Sequence, residues 1–74
     1  MCYLVPNPTR DYFKALSHYT INSVQVFDLT GKLLIEEKLN HFEALIDVSD
    51  FAAGTYIVKI NTVKGSVEKK MIVQ

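Results

Sequence analysis

From Asp11 onward, apolar residues of this chain recur at every second position in short runs, and each run ends in a turn carrying glycine, proline or small polar residues. Side chains of an extended strand alternate between two faces, whereas a helix returns them to one face about every 3.6 residues. The pattern therefore commits the chain to strands, each with one face to bury.

The runs can be followed in order. Val5-Pro6-Asn7-Pro8-Thr9 places two prolines around an asparagine, which fixes φ twice and biases Val5 and Asn7 toward extended backbone, as in an edge segment leading into a turn. Asp11 to Leu16 sets Phe13 and Ala15 on one side and Tyr12 and Lys14 on the other, and Ser17 to Thr20 reads as a polar loop. Ile21 to Leu29 resumes the alternation with Val24 and Val26 facing one way and Gln25 and Phe27 the other. Asp28-Leu29-Thr30-Gly31-Lys32 has the acceptor side chain and the glycine of a bulged hairpin. Leu33 to Leu39 is the expected returning strand, with Glu37 on its apolar side marking an exposed end. After a loop at Asn40 to Glu43, Ala44, Ile46 and Val48 form the next buried row.

Ser49 to Gly54 carries the one helical signal, a single turn with Ser49 as N-cap, Gly54 just past its end and Phe51 packed beneath. Tyr56, Val58 and Ile60 then alternate with Ile57, Lys59 and Asn61, and Lys64-Gly65 closes a hairpin onto Val67, Lys69, Met71 and Val73. Six or seven short strands, with turns about every 8 to 12 residues, predict an all-β antiparallel β-sandwich.

At 74 residues the chain makes one domain at most. Hydrophobic residues are 49% and charged residues 22% of it, a composition that folds rather than one that stays disordered. Eight Lys and Arg offset eight Asp and Glu, so the positive field that draws nucleic acid is missing. The apolar runs are too short to cross a bilayer as a helix. A single cysteine, Cys2, excludes an intrachain disulfide, and it reads with Met1 as a terminal residue outside the core. Met1-Cys2-Tyr3 opens no signal peptide, so an export signal is expected on a longer parent chain.

Catalytic, metal and cofactor chemistry finds no foothold in these residues. His18 and His41 fall in expected loops without a metal-ligand spacing, and Ser17 beside His18 does not make a nucleophile and base. Asp28 is accounted for by its turn and Asp47 by the solvent face of a strand. Asp47-Val48-Ser49-Asp50 gathers oxygen ligands but lacks the longer acidic series of a calcium loop. Proline in the middle of Asn7-Pro8-Thr9 excludes glycosylation. Tyr3, Tyr12, Tyr19 and Tyr56 read as core or hairpin packing ahead of a carbohydrate platform. Val67 to Gln74 is an amphipathic terminal strand whose paired lysines stay in water and discourage edge aggregation.

Taken in series, Pro6-Asn7-Pro8, Val24 to Lys32, Ile46 to Ser49, Ala53 to Ile60 and Lys69-Lys70 resemble the type A C-terminal sorting domain of the Bacteroidetes type IX (Por) secretion system, from about Leu4 to the last residue. The resemblance implies one immunoglobulin-like sandwich over residues 1–74, carried at the C-terminus of a larger cargo. It implies that the cargo enters the periplasm by its own N-terminal signal, passes the outer-membrane translocon and ends at the cell surface or outside. A surface sortase then removes the domain by a cut in a preceding linker, which is expected to lie outside this stretch.

By position, the resemblance assigns translocon recognition to Gly54, Tyr56, Gly65, Lys69, Lys70, Met71, Ile72 and Val73, and structural roles to Pro6, Asn7, Pro8 and Gly31. One expectation joins it to physics: an unpaired or weakly paired terminal strand is read by edge addition to a receptor sheet, with Lys69 and Lys70 supplying charge. Exposed edge strands also leave homodimerisation by strand pairing or swapping open. The competing class is an Ig-like accessory module for adhesion or carbohydrate contact, which uses the same fold.

Overall fold

The computed structural model describes residues 2–74, so the expectation for Met1 lies outside the described residues. Five strands are formed: β1 (Cys2–Val5), β2 (Tyr12–Phe27), β3 (Leu33–Asp47), β4 (Gly54–Thr62) and β5 (Gly65–Val73). All strand pairs are antiparallel, in the order β1-β2-β4-β5 with β3 on the other side of β2.

Two long strands replace four of the expected short ones. The stretches at Ser17 to Thr20 and Asn40 to Glu43, expected as loops, are extended and join the runs on either side. They are polar because the sheet bends there. Between two successive rungs of the β2–β3 ladder, Leu16 to Glu43 and Ile21 to His41, five residues of β2 advance against two of β3, and a second shift falls between Ile21 and Ser23. The extra residues bend the strand and change its phase. Inward positions of β2 are odd-numbered at Phe13, Ala15, Ser17 and Ile21 and even-numbered at Val24 and Val26. Strand β3 makes the same change, from Ile35 and Leu39 to Ala44 and Ile46.

The first layer is β1 with the first half of β2 and the second half of β3. The second is the remaining halves with β4 and β5. One sheet thus curls on itself into a small β-sandwich of five strands in place of the six or seven short ones expected, and its first strand is Cys2–Val5, ahead of the edge segment expected at residues 5–9. A single apolar cluster lies between the layers, including Leu4, Phe13 and Ile46 from the first and Val26, Val58, Ile60 and Met71 from the second. Cys2, expected at a loose terminus, is 5% exposed in this core, because its rung opposite Ser17 points it inward.

The turns follow their residues. At the β2–β3 hairpin the Asp28 carboxylate accepts from the Thr30 amide (2.9 Å), the Thr30 hydroxyl (2.6 Å) and the Lys32 amide (3.1 Å), while Gly31 takes φ +91°. These bonds, the Thr30 hydroxyl foremost, hold the Asp28 carboxyl below its ordinary range. Between β3 and β4 the Phe51 amide donates to Val48 O (2.9 Å), which closes the expected single turn. Its side-chain acceptor is Asp47, taking the Ser49 amide at 2.9 Å, in place of the expected N-cap Ser49. The Ser49 amide and then its hydroxyl lower the Asp47 carboxyl in turn. Phe51 packs on Tyr56 with ring centroids 5.0 Å apart, as the sequence requires of it.

Candidate functional site

The terminal strand is fixed from both sides. Alternation sends Met71 and Val73 inward, at 0% and 3% exposure, and Ile72 outward at 43%. Along one edge β5 is laddered to β4 over its full length, from Thr62 opposite Gly65 to Gly54 opposite Val73. Tyr56 stands opposite Met71 and is buried, and its hydroxyl donates to Ala52 O at 2.6 Å. Gly54 and Tyr56 therefore border the last residues of β5, while Gly65 lies at the strand's other end and Gly31 in the separate β2–β3 turn.

The second edge of β5 is occupied from Lys70 to Gln74, so that of the two expected states, unpaired or weakly paired, the terminal strand is weakly paired there. The Asn7 carboxamide donates to Lys70 O (3.0 Å) and accepts from the Ile72 amide (3.1 Å). Two residues on, the Thr9 amide donates to Ile72 O (2.8 Å) and the Gln74 amide to Thr9 O (2.7 Å), a parallel bridge centred on Val73. Thr9 is 2% exposed, and its hydroxyl donates to Tyr12 O. Pro6 and Pro8 have no N–H to offer a neighbouring strand, and the asparagine between them supplies donor and acceptor from its side chain. Thr9 carries no sequence signal for this role, since its partners lie more than 60 residues away.

Lys69 and Lys70 do not act as one charged pair. They fall on opposite faces of β5: Lys69 shares the inward side at the sheet margin, opposite Val58, and Lys70 stands outward opposite Ile57. The outer face of the second layer is tied by amides and hydroxyls. Gln25 donates to Glu36 (3.0 Å), Asn61 donates to Ser23 (2.9 Å) and Gln25 (3.3 Å), and the Ser66 hydroxyl donates to Asn61 (2.6 Å). This network was not singled out from sequence, where Asn61 is merely the polar partner in an alternation.

The first layer differs on its outer face. Tyr3, Val5, Tyr12 and Leu45 are exposed there around Lys14, whose ammonium lies 3.7 Å from the Glu43 carboxylate. Of the four tyrosines expected to pack, only Tyr56 is in the core. Tyr3, Tyr12 and Tyr19 are exposed. Tyr3 and Tyr12 fall on the outward beat of strands whose inward beat is Leu4 and Phe13. His18 and His41 are exposed but belong to β2 and β3, and Ser17 and His18 point to opposite faces as strand neighbours must. Two shallow depressions, one lined by Pro6, Thr9, Arg10 and Gln74 and one by Tyr12, Leu45 and Asp47, are open to solvent. No helix among the described residues is long and apolar enough to cross a membrane.

Residues 3–74 match the family described as Secretion system C-terminal sorting domain. A curated relative, the ulvan lyase NLR42 of Nonlabens ulvanivorans, is 38% identical over 71 residues, which cover 92% of this chain and 13% of that protein. The chain thus spans about one-eighth of the length of the relative it matches.

Proposed function

The chain belongs to the secretion system C-terminal sorting domains, the sorting signal of type IX secretion cargo, and on that premise we propose that it carries a larger N-terminally attached cargo to the outer-membrane translocon and is then removed by a surface sortase. A tail of this family is not a catalytic domain and marks a secreted protein exported through the outer membrane. The cargo's final place is the cell surface or the medium.

The observation that carries this reading is that the matched stretch is a folded unit in itself. Its two family-like ends, Pro6-Asn7-Pro8 and Lys69-Lys70, are brought against each other by the Asn7 contacts with Lys70 and Ile72. A translocon-binding signal that must work on unrelated cargo needs such independence. Within the fold, recognition falls to the end of β5 and its neighbours: Lys70 and Ile72 project outward, Lys69, Met71 and Val73 fix the strand against the core, and Gly54, Tyr56 and Gly65 hold it to β4.

The test is a fusion of residues 1–74, behind a periplasmic signal and a flexible linker, to a fluorescent reporter in a type IX-competent bacterium and in its translocon mutant. Reporter at the surface of the competent strain alone, with the domain removed, is the expected result. Reporter held in the periplasm of both strains overturns it and favours an accessory module for adhesion or carbohydrate contact, for which the outward Tyr3 and Tyr12 are the available platform.

A further inference from the structure

We infer that Asn7 is the positioning residue of the terminal strand, closing the edge of Lys70–Gln74 so that a recognising protein reads the outward side chains of this segment and not its backbone. The inference rests on the sorting role proposed above and adds the mode of reading.

A residue in a parallel ladder bonds through its N–H to the carbonyl before its partner and through its C=O to the amide after it. Thr9 does this around Val73 with its own backbone. Asn7 does the same around Met71 with its side chain, Nδ2 to Lys70 O and Oδ1 from Ile72 N. The carboxamide carries a donor and an acceptor in one plane, as a peptide group does, so it extends the ladder where the flanking prolines break it. Four bonds then occupy every outward-directed backbone group from Lys70 O to the Gln74 amide.

An added strand needs those same groups free. Strand addition at this end of β5 thus requires displacing Asn7 and Thr9, whereas Lys70 and Ile72 are already exposed on the sheet's outer face. The same bonds couple the two chain ends: the segment nearest the cargo sets the register of the segment that is read. A shorter polar residue at position 7 cannot reach both groups, and aspartate keeps the acceptor but sets a carboxylate against the Lys70 carbonyl.

The experiment compares wild-type, Asn7→Ala and Asn7→Asp forms of the whole domain by amide hydrogen exchange, and the same three as reporter fusions by surface export. Exchange at the Ile72 amide should rise roughly three- to tenfold in Asn7→Ala, as expected for losing one partly solvated bond pair, while the Val58 and Ile60 amides keep their protection. Export should drop several-fold in both variants, and restoring asparagine should recover it. Unchanged exchange at Ile72 in Asn7→Ala overturns the clamp, and raised exchange with wild-type export overturns its role in reading. Failure of the wild-type fusion itself to be exported strikes the sorting role, and the exchange data still decide on the clamp. If Asn7→Ala loses protection at Val58 and Ile60 as well, Asn7→Ser, whose short side chain cannot reach both groups, supplies the comparison at Ile72.

Discussion

The two layers of the sandwich agree on their inner faces and differ on their outer ones. Inside, both present small and medium aliphatic side chains on every second position, Leu4, Ala15, Ala44 and Ile46 against Val26, Val58, Ile60 and Val73. Outside, the first layer shows tyrosines and Leu45 around one ion pair, and the second a run of amides and hydroxyls bonded from Glu36 to Ser66. The inner equivalence is what packing demands of any sandwich. The outer difference is free of that demand.

The contrast can be tested at four places, the shared core, the amide network, the two acidic turns and the ion pair, taken from the largest effect to the smallest. Phe13→Ala in the first layer and Ile60→Ala in the second, both at fully buried positions, should each cost about 2–5 kcal/mol. A loss of that size rivals the whole stability of a small domain, so both variants should lose their cooperative melt in circular dichroism. Equal losses confirm the shared core, and a variant that melts like wild type would break the equivalence. On the outer faces, Asn61→Ala removes a side chain with three bonds and should cost about 1 kcal/mol by urea unfolding.

Acid acts on two turns, that of Asp28 within the second layer and that of Asp47 between the first layer and the second. The lowered carboxyls of Asp28 and Asp47 give stability that is present above about pH 4 and is lost as pH falls through their folded values. Melting temperature against pH should therefore decline on the acid side, and Asp28→Asn with Asp47→Asn should flatten that limb while leaving neutral melting lower than wild type. Last, Lys14→Ala should shift unfolding by about 0.5 kcal/mol or less, because its pair with Glu43 is nearly half exposed. High salt should erase even that difference, and a larger effect would mean the first layer's outer face depends on charge.

Much of this was legible in the sequence. The rows Phe13 and Ala15, Val24 and Val26, Ala44 and Ile46, and Tyr56, Val58 and Ile60 are buried as their alternation requires. The turn at Asp28 to Lys32 forms through the expected acceptor and glycine. What sequence spacing hid was the continuity of β2 and β3. A polar stretch between two apolar runs looks the same whether it is a loop or a bent strand, and only the change of phase from Ser17 to Val24 distinguishes them. The alternation of Val67, Lys69, Met71 and Val73 gave the last strand its place, yet its second edge was invisible, since Asn7 and Ile72 are joined by tertiary approach and no local pattern encodes it.

The parallel alignment of Thr9 with Val73 also has a mechanical side. Tension between the cargo end of the chain and Gln74 runs along these two segments in opposite directions, so their rungs are loaded together in shear instead of opening one at a time as in a zipper. Pulling across the strands at the β4–β5 hairpin of Val63 to Gly65 would meet the bonds one at a time. The domain is therefore a stiff handle along the axis joining its termini and a soft one across it.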